Sequence, residues 1–95
     1  MTERDQYIEN AKAKIDQWNA EIDKMKAKVD EAEADAKIAY QKQLDAARKH
    51  RDEAEAKLKD LHEASGDAWD DVKAGFDKAW DKISAAFHSA MSRFG

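Results

Sequence analysis

From Thr2 to Ala64 the chain contains neither glycine nor proline. No residue in that run breaks a helix, and Ala, Glu, Lys and Gln dominate it. The only internal glycines are Gly66 and Gly75, and proline is absent throughout. Sheet-containing folds need turn residues about every ten positions, so the chain is expected to be all-α. A continuous helix over 3–64 would be about 90 Å long at about 1.5 Å per residue.

Periodicity says which side of that helix seeks a partner. Ile8, Ile15, Trp18, Ile22, Met25 and Val29 recur at heptad spacing, with Ala11 and Ala32 between them. Their flanks are Glu, Asp, Lys and Gln, so one narrow stripe is apolar and the remainder solvated, the pattern of a coiled-coil seam. These six large residues are the candidate self-association seam. From Ala36 the step changes to 4,4,3 through Tyr40, Leu44 and Ala47, an eleven-residue unit that relaxes left-handed supercoiling. The stripe continues through Ala54, Leu58 and Leu61, interrupted near His50 and Arg51. A polar residue there either specifies register or snorkels to water. Asn19, beside Trp18, is expected off the seam and in solvent.

Ser65-Gly66-Asp67 is the one clear turn signal. Gly66 is expected to take the left-handed conformation that closes a helix, with Ser65 or Asp67 capping the next one, over 67–94. That last helix is a repeat of elevens: AWDDVKAGFDK, AWDKISAAFHS, then AMSRFG. Trp69, Val72, Phe76, Trp80, Ile83, Phe87, Met91 and Phe94 therefore line up on one narrow, bulky face, which is a candidate packing or interaction surface.

The charge balance limits what such a chain could do. With 17 basic and 21 acidic residues interspersed along it, the net charge is −4, which opposes a nucleic-acid partner because phosphate neutralisation needs a clustered cationic surface. The absence of cysteine excludes disulfides and thiolate chemistry and fits a reducing compartment. No apolar run follows the first residues, so neither a leader nor a membrane span is expected, and a cytoplasmic location is. His50, His62 and His88 lack the i, i+4 spacing of helical metal pairs. Carboxylates and serines are plentiful, but a slender helical rod offers no cleft in which to perturb them. No catalytic, metal or cofactor site is expected.

Folding back at Gly66 would set the last helix antiparallel to residues 38–64, with Trp80 and Phe87 near the levels of Ala54 and Ala47, bulky against small. The stripe from Ile8 to Val29 then still needs a cover. A bend near 31–36 would give a monomeric three-helix bundle. A straight helix would take its third helix from a second copy, as a domain-swapped antiparallel dimer. With no turn residue at 31–36, the dimer is favoured. The aromatic face of the last helix admits a second use, at a membrane or granule surface, since eleven-residue amphipathic repeats with Trp suit lipid interfaces. Its narrow arc and few Lys and Arg favour burial or a protein interface.

The order YIENAKAKIDQWNAEIDKMKAKVDEAEADAKIAYQKQLD followed by AWDDVKAGFDKAWDKISAAF resembles a family of short bacterial coiled-coil proteins grouped as stress-response proteins. The likeness spans nearly the whole chain and is strongest at Tyr7-Ile8, Trp18 to Lys24 and the Ala68-Trp69 repeat. It implies a link to stress, with no catalytic or cofactor residues to carry over and clients unknown.

Overall fold

The computed structural model describes residues 2–93 and forms three helices: α1 (Glu3–Glu31), α2 (Ala34–Glu63) and α3 (Trp69–Ser92). Phe94 lies outside the described residues. The body measures 52 × 22 × 17 Å, about one 30-residue helix long at about 1.5 Å per residue. It is an all-α bundle, running up, down and up.

Local chemistry sets the helix ends. Thr2 Oγ1 accepts the Asp5 N–H at 3.1 Å, and Glu3 and Asp5 lie in the first turn of α1, where carboxylates favour the positive end of the dipole. The single helix expected over 3–64 is broken in this chain. Ala32 (φ −74°, ψ 150°) and Glu33 (φ −72°, ψ 162°) are extended, and Glu33 supplies no side-chain cap to α2. The break turns the apolar stripe of α1 back onto the chain's own α2 and α3, and that burial offsets the lost helical hydrogen bonds. Neither residue has a positive φ, so the bend needs no glycine.

The second connection also differs from its expected form. Gly66 is not left-handed. The Ala68 N–H is accepted by both the carbonyl and the hydroxyl of Ser65, at 3.1 and 3.2 Å. Ser65 thus supplies the turn, and α3 starts at Trp69 rather than at residue 67.

Large against small is the packing rule. Ala47 and Ala54 are fully buried, and α2 approaches both other helices closely, whereas no Cα of α1 comes within 8 Å of one in α3 among the described residues. Bulky side chains fill that wider gap. Ala47, Ala54, Ile83 and Phe87 share one cluster with Trp80 packed against it, as the fold-back at Gly66 anticipates. A second cluster joins Ile8, Ala11, Leu61 and Phe76 at the other end. No buried polar or charged residue occurs among the described residues. Ion pairs such as Lys24–Glu21 at 3.8 Å and Lys59–Glu63 at 4.0 Å are exposed and local along single helices, a type worth little to stability.

Gly75 offers a direct check on α3. A Cβ added there meets nothing within 4 Å, and the residue is exposed inside the helix. Gly75→Ala is expected to stabilise the fold by about 1 kcal/mol, read as a rise of roughly 4–8 °C in melting temperature.

Candidate interaction face: an aromatic ladder between two helices

All six candidate seam residues of α1, from Ile8 to Val29, are buried, with Met25 only 1% exposed. Within this chain they are covered by its own α2 and α3. On α3, Phe76, Ile83 and Phe87 are buried and Trp69, Val72, Trp80 and Met91 half-buried. The two candidate sets therefore form one structure. Core packing is what the structure gives the aromatic face, with its edge left open.

The aromatic rings of α1 and α3 form a continuous ladder. Trp69 meets Tyr7 edge-on at 5.8 Å, and Tyr7 meets Phe76 at 6.0 Å. Phe76 lies 5.8 Å from Trp80. Trp18 is then stacked on both Trp80 (4.6 Å, 14°) and Phe87 (4.2 Å, 6°). Eleven-residue spacing on α3 puts Trp69, Phe76, Trp80 and Phe87 in line, and Tyr7 and Trp18 on α1 are spaced by the same eleven. The ladder holds the two helices parallel and apart. Beside it, the gap leaves a groove of about 410 Å³ lined by Gln17, Trp18, Glu21, Phe87, His88 and Met91, and a smaller one of about 160 Å³ at Tyr7, Lys14, Asp77 and Trp80.

Basic side chains rim the same edge. Arg4 lies 4.7 Å over Trp69, Lys73 5.0 Å over Tyr7 and Lys14 5.7 Å over Trp80. Cation–π contacts of this kind contribute about 0.5–1 kcal/mol at exposed sites. Arg4 does more. Its Nη2 donates to the carbonyls of Leu61, His62 and Ala64 at 3.1, 3.4 and 2.6 Å, satisfying the free C-terminal carbonyls of α2. One guanidinium thus ties the start of α1 to the end of α2 and the start of α3. Nothing in the heptad pattern singles it out, because its partners are main-chain groups almost sixty residues away.

Asn19 is half-buried rather than solvated. Its Oδ1 accepts from Arg51 Nη1 at 2.9 Å, across α1 and α2, while Arg51 Nε also lies 2.9 Å from Asp52. The polar interruption of the seam is therefore matched by a polar residue opposite it, across the antiparallel pair.

Tyr7 donates its hydroxyl proton to Asp77 Oδ1. Burial first, then the hydrogen bond and the negative charge of Asp77, hold the phenol well above its usual value of 10.0. A group whose pKa is raised on folding contributes stability that is complete below its unfolded pKa and is lost as pH rises beyond it. Stability is expected to fall above about pH 10, and Tyr7→Phe to remove that part of the alkaline slope in melts between neutral and high pH. An equal slope in the variant would show that other groups cause it.

Among the described residues no three His, Asp or Glu side chains converge on a metal position, and no helix is long and apolar enough to cross a membrane. No family model, curated protein or solved structure matches the chain.

Proposed function

We propose that the protein is a non-enzymatic helical module that acts by association of helical surfaces, its own copies foremost, in the cytoplasmic location expected from its sequence and the stress-linked setting that the resemblance implies. One observation carries this reading. The first turns of α2 project beyond the core, with Ala34, Ala36 and Ala39 exposed and Ile38 65% exposed. Here alone among the described residues a large aliphatic side chain stands in solvent, beside exposed alanines at one end of an otherwise charged rod. Light scattering over a wide concentration range tests it: mass is expected to rise to that of a dimer or larger. A monomer at all concentrations overturns self-association.

A second reading has its own support. Half-buried Trp69 and Trp80 with Arg4, Lys14 and Lys73 above the rings form an aromatic and basic edge of the sort found at lipid interfaces. Engaging lipid through the whole face would require α3 to leave the bundle, since Phe76, Ile83 and Phe87 are buried. Anionic vesicles are expected to leave tryptophan emission unchanged if association between chains is the function. A blue shift with co-sedimentation would establish the lipid role instead.

A further inference from the structure

The joint between α1 and α2 keeps a helical phase across a bend at which the closed bundle interrupts the helix. Val29, Ala32, Ala36, Tyr40 and Leu44 follow one another at 3,4,4,4 across the bend. In a continuous helix they would share one face about 120° wide, at about 100° per residue. The bend itself puts Ala36 in solvent while Val29 and Leu44 on either side are buried. A connection that had only to turn would be free to lose this phase.

Register adds a second, independent argument. Arg4 meets Ala64 and Asn19 meets Arg51 across the antiparallel pair α1 and α2. Carried inward, those two pairs centre the crossing of two such helices near positions 34 and 35. Ala32, Ala34 and Ala36 flank that point, residues small enough to let two helices cross closely. The joint is also weakly held as a turn. Glu33 provides no cap, no residue from 31 to 36 is glycine or proline, and Ala32 and Glu33 both propagate helices well.

We propose that a second copy of the chain binds by exchange of α1. The segment at 32–33 becomes helical, 3–63 runs as one helix, and α1 docks on α2 and α3 of the other copy. Two lobes with the contacts described above then lie end to end, and the two long helices cross near the alanines at 32, 34 and 36. This rests on the reading of the protein as self-associating and specifies how the copies join. Closed and exchanged forms share their core, so concentration decides between them.

Glu33→Pro separates the two. Proline suits the bend, because Glu33 has φ −72° and Ala32 before it has the extended backbone that a following proline requires. In the interior of a continuous helix it costs about a hundredfold per helix. After heating and slow cooling at high concentration, the parent chain is expected to form dimers by light scattering. E33P is expected to remain monomeric with helicity and melting retained. The chain is naturally free of cysteine, so Asn19→Cys with Arg51→Cys and a bifunctional maleimide reports which copies touch. Dimers are expected to give linked pairs of chains on denaturing gels, and the E33P background only internally linked single chains. A parent monomeric at every concentration would overturn both this proposal and self-association. Dimers that link only internally, or E33P dimers as stable as the parent's, would overturn the exchange and leave self-association through closed bundles standing.

Discussion

Trp18→Ala is expected to destabilise the bundle by about 3–5 kcal/mol, the range for deleting a large buried aromatic. Trp18 is the only Trp of α1, is 6% exposed and is stacked between Trp80 and Phe87 at 4.6 and 4.2 Å. Its removal opens a void in the gap between α1 and α3. Collapse there is difficult, because the two backbones would have to approach while each remains packed against α2. A domain of this size has roughly 5–14 kcal/mol of stability in total, so the variant is expected to melt some 15–30 °C lower. Trp18→Phe keeps a ring in the stack and is expected to lose far less. If Trp18→Ala melted within a few degrees of the parent, the ladder would not be holding α1 to α3.

The second large effect is expected from adding volume. Ala47 and Ala54 are fully buried on α2, the helix whose backbone comes within 8 Å of both others. Leucine at either site has no space to enter and forces the helices apart, at about 1–3 kcal/mol each. The double variant Ala47→Leu/Ala54→Leu is expected to lose about 2–6 kcal/mol in denaturant unfolding if the two sites add. Leucine propagates a helix almost as well as alanine, so the loss would measure packing. Unchanged stability would mean that α2 does not supply the small side of a large-against-small interface.

Both variants probe features that are legible in the sequence. The eleven-residue repeat places Trp69, Phe76, Trp80 and Phe87 on one face of α3, and the heptad stripe places Ile8 to Val29 on one face of α1, because helical geometry alone converts spacing into a face. Alanines at 47 and 54 mark where a neighbour comes close. The polar fringe is not legible. Arg4 reaches the carbonyls of Leu61, His62 and Ala64, and Tyr7 reaches Asp77, because the bundle brings together positions far apart in the chain. Asn19 lies beside the seam, and its partner Arg51 belongs to another helix.

The bend at Ala32 and Glu33 marks the division most clearly. By itself the sequence determines an all-α chain, its apolar stripes and the turn near Ser65, since each depends on local spacing, propensity or capping. Only the tertiary structure decides that the first stripe is covered from within the same chain. A bend between two extended residues with negative φ is open to any side chain and leaves no glycine or proline to mark it. What selects it is burial of the Ile8–Val29 stripe against the side chains of α2 and α3, a gain that no local pattern contains.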